Sequence, residues 1–271
     1  MKAPKVSVVM PIYNCERYLA DAVDSILSQT FKDWELIICD DGSSDNTYSI
    51  AKKYAQKHSK KIKLLRNNQN LKIQKTLNKC LKHARGEYIA RMDGDDLTER
   101  NRLKLEVEFL DSHVQYALVS SQLAMFDESG IIGRAKFRVG EVVKEDFIRH
   151  PAVFCHAAMM IRRSALEAVG GYSIGEEFAR VEDIDLWLKL YENGYKGYNL
   201  PEVLYHQRND TDTMARRTKQ NYLNEYGIRK RSFRSLGLPK TRYYYVFRPL
   251  VVAHLPKRLY ARLHRMNLEN Q

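Results

Sequence analysis

Over its first hundred residues the chain changes hydrophobic period again and again, and this constrains the fold more than any other feature. Lys5 to Ile12 is a short β-branched run, and the segment Glu16 to Thr30 then sets Leu19, Val23, Ile26 and Leu27 on one helical stripe. A second unit follows. Glu35 to Cys39 reads as a strand, Asp45 or Asn46 can cap a helix carrying Ile50, Ala51 and Tyr54, and Ile62 to Leu65 returns to strand. The third runs from Ile73 through Leu77 and Leu81 to a helix stop at Gly86, before Tyr88 to Met92. Strands alternating with helices of this length imply right-handed crossovers and an α/β fold with a mostly parallel, Rossmann-like sheet. Ligands of such sheets sit beyond the carboxyl ends of the strands. The polar clusters PIYN, DDGSSD and DGDD each begin where an apolar run stops, so all three are expected on one crevice.

Beyond a helix at Glu99 to Ser112 the texture differs. Tyr116 to Phe126, the turn DESG and Ile131 to Phe137 read as a hairpin, with helices at Ser164 to Val169 and Ile184 to Tyr191. From residue 219 onward twelve Lys and Arg stand against two Glu, so most of the chain's net charge of +12 lies in this tail. The expected organisation is therefore one unit over 1–218, in two parts (1–98 and 99–218), followed by a basic amphipathic extension over 219–271. Cys15, Cys39, Cys80 and Cys155 are dispersed among apolar neighbours and read as reduced structural thiols. Pro11 interrupts the N-terminal apolar stretch, and Arg248 and Pro249 break the later one, so neither a signal peptide nor a membrane span is expected.

There is no GxxxxGK[ST] and no GxGxxG after a strand. Acidic strand ends remain. A carboxylate meets a phosphate through a divalent cation, and Mg²⁺ or Mn²⁺ on one or two Asp plus a diphosphate is the usual arrangement. Asp93, Asp95 and Asp96 in DGDD fit it, although an isolated DxD is more often a solvated turn. Asp40 and Asp41 can accept hydrogen bonds from a base imide or from ribose, or can be simply a turn and a cap. In VEDIDLWLKL, Glu182 and Asp183 open a helix after a glycine-rich approach, which suits either a general base or a favourable helix dipole.

The segments VSVVMPIYN, LIICDDGSSDNT, ARGEYIARMDGDD, CHAAMMIRRSALEAVGGY and VEDIDLWLKL, in this order and spacing, resemble the inverting family-2 glycosyltransferases of GT-A fold. The resemblance covers about residues 5 to 212 and points to the enzymes of bacterial exopolysaccharide and capsule formation. It implies that Pro11, Tyr13, Asn14, Asp40, Asp41, Asn70, Asp93 and Asp95 hold a nucleotide-diphospho-sugar, UDP-linked by expectation. Asp95 and Asp93 would hold Mg²⁺ or Mn²⁺, with Asp210 completing the metal site and His206 as the alternative. Asp183 would be the general base and Glu182 its partner. His156, Gly171, Tyr172 and Trp187 fall on the acceptor side, Trp187 stacking on a sugar or filling the core. Where relatives carry an arginine after Asn70 this chain does not, and Lys72 either replaces that charge or is solvated.

The implied acceptor is a glycan or polyprenyl-linked sugar, reached at the cytoplasmic face of the plasma membrane. Arg229, Lys230, Arg231, Arg234, Arg248, Lys257, Arg258, Arg262 and Arg265, interleaved with Tyr243, Tyr244, Tyr245, Phe247 and Tyr260, would contact anionic lipid. Nucleic acid is not expected. A catalytically silent binding protein that acts through its basic tail is the competing class, and the intact acid set argues against it. A nucleotidyltransferase would want a glycine-rich basic loop where this chain has PIYN.

Overall fold

The computed structural model describes residues 2–209 and 218–254. The first third alternates as the hydrophobic periods require: β1 (Val6–Ile12), α1 (Leu19–Leu27), β2 (Trp34–Asp40), α2 (Thr47–Lys57), β3 (Ile62–Arg66), α3 (Ile73–Leu81) and β4 (Tyr88–Arg91). There follow β5 (Leu97–Thr98), α4 (Arg102–Ser112), β6 (Leu118–Asp127), β7 (Gly130–Ala135), β8 (Gly140–Val142), β9 (Met160–Arg162), α5 (Arg163–Ala168), α6 (Glu182–Glu192), β10 (Gly197–Arg208), α7 (Lys219–Ser235) and α8 (Arg248–Ala253).

All strands join one sheet in the order β3-β2-β1-β4-β9-β6-β10-β5, with β7 added on β6 and β8 on β10. From β3 to β4 every pairing is parallel, as expected. The second half corrects the expectation of a mostly parallel sheet. There β9 runs antiparallel to both β4 and β6, β10 is parallel to β6, and β5, β7 and β8 are antiparallel to their neighbours. The sheet is therefore mixed, and the short β9 is the seam between its halves.

Both faces of the sheet are covered, which is why β1 and β2 read as continuous apolar runs. Alternate residues point to opposite sides. Val8, Met10, Leu36 and Ile38 pack under α1, α2 and α4, whereas Val9, Ile37 and Ile89 face α3, α5 and α6. That second core also takes in Ile228 and Phe233 of α7, followed by Leu236, Leu238 and Val246. The segment after residue 219 thus begins as part of the main body. Arg229 is 3% exposed and donates to Glu225 Oε1 from Nε (3.1 Å) and Nη2 (2.9 Å). Arg231 reaches Asp185 at 2.6 Å and Glu192 at 2.6 Å. These two cations, expected at a lipid surface, are consumed inside the protein. Lys257, Arg258, Tyr260, Arg262 and Arg265 lie outside the described residues.

Candidate active site

The carboxyl ends of β1, β2 and β4 converge because their parallel register aligns them: Ile12 faces Asp40, and Val9 faces Arg91. After β1 the chain turns through Asn14, a non-glycine residue with φ of 47°. Its Oδ1 accepts the Ser44 N–H at 2.9 Å and its own N–H donates to Ser43 Oγ at 3.0 Å, so the first two loops are tied together. Gly42 lets the loop after β3 approach the second of them, since at φ +75° a Cβ there would lie 2.7 Å from the Gln69 backbone.

Asp41 is nearly buried, and its Oδ1 accepts from Asn67 Nδ2 at 2.8 Å and from the Leu71 N–H at 2.9 Å. Asn67 is itself braced by Lys79 at 2.8 Å, so α3 fixes the acid's orientation. Asn70 accepts the Lys72 N–H at 3.0 Å and shapes the same loop. Lys72 is exposed, which favours the solvated alternative. Asp40 departs from the expectation that it contacts a nucleotide. It is fully buried, paired with Arg66 Nε at 3.2 Å, and it accepts the Ser43 N–H. Its work is to hold the turn.

In DGDD the three acids separate by environment. Asp96 is 2% exposed and accepts the Arg208 N–H at 2.7 Å, which docks β10 onto this loop. Asp93 accepts from Arg91 Nη2 at 2.6 Å, and its N–H donates to the Tyr205 hydroxyl at 3.1 Å. Asp95 is exposed to a cleft of about 740 Å³ that also takes in Tyr13, Asn14, Cys15, Tyr18 and Arg208. Surrounding protein and then the charge of Asp93 push its carboxyl up to about 6. Gly94 makes the tight loop possible, because a Cβ would come within 2.6 Å of Ile12 Cγ2. The tip of the β6–β7 hairpin roofs the cleft through Asp127, Glu128 and Ser129, and Glu128 pairs with Arg17 across it. Both partners are solvated, and such a pair is worth about 1 kcal/mol or less, so the roof can open.

Across the seam strand, Glu182 and Asp183 form the first turn of α6, where the helix dipole favours acids. Glu182 is pushed up to about 7, first by burial and then by Asp183, and its Oε2 has no hydrogen-bond partner. Asp183 Oδ1 accepts the Ile184 N–H at 2.8 Å. Asp185, third in the acidic run, is fully buried between Arg231 and Lys189 and serves as an anchor. Beside the pair, the Tyr172 hydroxyl lies 2.7 Å from His156 Nε2, and Asn78 grips the Tyr172 backbone at 2.8 and 3.0 Å. The Gly171 carbonyl accepts from Lys189. Trp187 is fully buried, edge-on to Phe154 and His156, so it fills the core and cannot stack on a sugar.

Carboxylate oxygens that raise one another's affinity for protons also suit a hard divalent cation. Among the described residues no three acidic, His or Cys side chains converge closely enough to enclose one. Asp210 lies outside the described residues. His206, the alternative, is committed elsewhere, with Nε2 2.7 Å from Glu99 Oε1.

Two functional arginines escaped the sequence reading. Arg91 is 5% exposed, and its guanidinium, ion-paired with Asp93, also feels the charge of Glu182 and the hydroxyls of Tyr172 and Tyr205. It makes a direct ion pair with Asp93 at 2.6 Å and a longer-range attraction to Glu182. Arg208 lies over the rings of Tyr18 (3.9 Å) and Phe126 (4.5 Å) while Nε donates to the Asp95 carbonyl at 3.1 Å. The order RMDGDD carries a signal for Arg91, because a cation at the end of a strand, two residues before an acid, lies close enough to pair with it. Nothing local in LYHQR marks Arg208.

The family model for Glycosyl transferase family 2 matches residues 7–170. A putative glycosyltransferase of Bacillus subtilis, EpsE, is 44% identical over 99% of this chain and 96% of its own length. Among solved structures, Staphylococcus aureus TarS 1-349 in complex with UDP-GlcNAc superposes with a TM-score of 0.70 at 21% identity, covering 89% of this chain and 72% of that one. The mannosyltransferase PcManGT of Pyrobaculum calidifontis, in complex with GDP-Man and Mn²⁺, gives 0.65 at 20% identity over 98% and 80%. The expected GT-A fold is the fold of both neighbours.

Proposed function

The chain belongs to glycosyl transferase family 2, and from that premise we propose that it is an inverting transferase that takes a sugar from a UDP-sugar to extend a bacterial surface polysaccharide. One observation supports the reading: the buried Arg91 guanidinium, ion-paired at 2.6 Å with Asp93 on the donor side, also lies in the field of Glu182 on the acceptor side. The two halves of a displacement reaction are thereby held in one field. Tyr13, Asn14 and Asp41 receive the nucleoside, with Asp41 pre-oriented by Asn67 and the Leu71 N–H to accept hydrogen bonds. Asp95, with Asp93, would hold Mg²⁺ or Mn²⁺ against the donor diphosphate, where a divalent cation supplies Lewis-acid stabilisation of the leaving group. Arg208 adds a fixed positive charge at the same place.

Asp183 takes the proton of the acceptor hydroxyl as that oxygen attacks the anomeric carbon from the face opposite the leaving diphosphate. Inversion follows from the single displacement. Above about pH 7, once it is ionised, Glu182 sets a second negative charge beside Asp183 and so raises its basicity. The basic end of the chain provides a peripheral contact with the inner face of the plasma membrane. Among the described residues no helix is long and apolar enough to cross a bilayer.

Thermal unfolding with a panel of nucleotide sugars tests the donor site. A ligand at about 100 times its dissociation constant adds roughly 2.7 kcal/mol, which for a chain of this size raises Tm by about 5–10 °C. We expect that rise with a UDP-sugar plus Mn²⁺, and its loss in Asp95→Asn. No shift with any nucleotide sugar in the presence of cation would remove the donor reading. For the membrane contact, flotation with vesicles containing anionic lipid should recover the wild-type chain and lose the triple replacement of Arg258, Arg262 and Arg265 by Glu; equal recovery of both refutes it.

A further inference from the structure

Behind the acidic pair lies a second cavity, of about 900 Å³, walled by the β7–β8 edge on one side and by α7, the turn at Lys240–Phe247 and α8 on the other. Its floor includes Arg180, Val181 and Ile184, the backbone that delivers Glu182 and Asp183. Arg180 holds φ at 67°, a conformation that ordinary side chains avoid and that clusters at functional sites. Seven Lys and Arg line the cavity against three acids, a net of +4. Two of those acids are already matched. Asp146 takes Arg138 through both oxygens at 2.9 and 2.7 Å, and Glu225 takes Arg229.

Four guanidinium groups remain, on Arg149, Arg180, Arg242 and Arg248, none with a carboxylate partner among the described residues. Arg248 reaches only the Arg149 carbonyl, at 3.3 Å. Cations crowded like this repel one another unless a multivalent anion joins them, and planar guanidinium forks match phosphate oxygens bidentately. The field is felt at the rim: burial first, then Arg248, Arg229 and Arg149, holds His150 below its ordinary range. Pro249 and Val252 continue the wall in apolar surface, and on the outer side of the same helices Tyr244, Phe247 and Val251 are exposed. The concave shape suits a compact polyanion with an apolar attachment rather than an extended strand.

We propose that this cavity binds the phosphate or diphosphate group of the acceptor and so presents the acceptor's sugar to Asp183. The inference rests on the transferase reading of Asp183 and adds to it the place where the acceptor's phosphate is held.

Inorganic pyrophosphate, titrated calorimetrically into the full chain without divalent metal, tests the site, because the Asp93–Asp96 cleft then repels it. Binding to wild type is expected, with Arg149→Ala/Arg242→Ala weakening it by roughly tenfold per guanidinium removed and UDP plus Mn²⁺ binding both proteins alike. Both residues are exposed, so the double variant should fold. Farnesyl diphosphate separates the sources: tighter binding than pyrophosphate supports a lipid-linked acceptor, and equal binding a phosphorylated glycan. Absent pyrophosphate binding, or binding untouched by the double replacement, overturns the inference while UDP binding persists. Loss of UDP binding in wild type would instead remove the transferase reading.

Discussion

Asp183→Asn should leave Mn²⁺-dependent UDP binding intact and lower the transfer rate by about 10²–10⁴-fold, the span that a positioned general base contributes. The amide keeps the side chain's size and its acceptor for the Ile184 N–H, so a folding defect is not the expected cause. Single-turnover transfer and donor titration on the same preparation separate the two outcomes. Transfer at the wild-type rate would displace Asp183 from its role.

The same pair predicts a pH signature. Glu182 is pushed up from 4.5 to about 7 by burial and by the charge of Asp183, so it gains its own charge only near pH 7, and that charge then strengthens its neighbour as a base. Transfer should therefore rise as pH passes through about 7, measured at saturating Mn²⁺ so that Asp95, raised to about 6, is already ionised by the cation. Glu182→Gln removes the group that titrates there and should flatten the limb near pH 7. Stability runs the opposite way. A carboxyl with a raised folded pKa binds its proton more tightly in the native state, so its contribution is present below pH 4.5 and lost as pH climbs to about 7. Tm should accordingly fall over that window in wild type, and fall less in Glu182→Gln.

The parallel half of the sheet was legible because β1, β2 and β4 are apolar runs interrupted by helical stripes, and strand ends in such sheets point at ligands. The acids Asp41, Asp95 and Asp183 could be named from that pattern and the family resemblance together. The second half was not, for reasons in the residues. Pro201 sits within β10, where the pairing shifts register between Asn199 and Val203, so LPEVLYHQR does not alternate as a clean strand. Strand β9 is three residues long and runs straight into α5, and no periodicity can be counted over so short a span. Burial also divides acids that look alike in sequence. Asp40 and Asp41 are adjacent, yet the pleat turns one toward Arg66 and the other toward Asn67. Likewise Asp183 and Asp185 share a helical turn, but Arg231, 46 residues further on, claims only the second.

Arg91 is the residue whose loss should disturb the most at once. Its side chain is nearly buried at the end of β4, where Arg102 fixes its carbonyl at 3.0 Å and Asp93 takes Nη2 at 2.6 Å. Its Nε lacks a partner, a cost of about 1–3 kcal/mol that packing alone would not retain. In Arg91→Met, Asp93 loses its ion-pair partner and Glu182 a nearby positive charge that favours its ionisation. Removing one member of a buried ion pair costs about 3–5 kcal/mol, and since Asp93 is partly solvated the lower end is expected, a Tm fall of roughly 6–12 °C. Stability loss alone would not identify a bridge, because many core replacements cause it. The discriminating readout is the acid limb of transfer, which should move up: without the guanidinium that lowers it, Glu182 ionises less readily, whereas Glu182→Gln removes the limb. Arg91→Lys keeps the charge but not the fork, so it should restore most of the limb while recovering little donor affinity. If Arg91→Met unfolds early yet keeps the wild-type limb, the two acidic motifs are not electrostatically joined, and the link between donor and acceptor sides must run through the backbone of β4 and β9 instead.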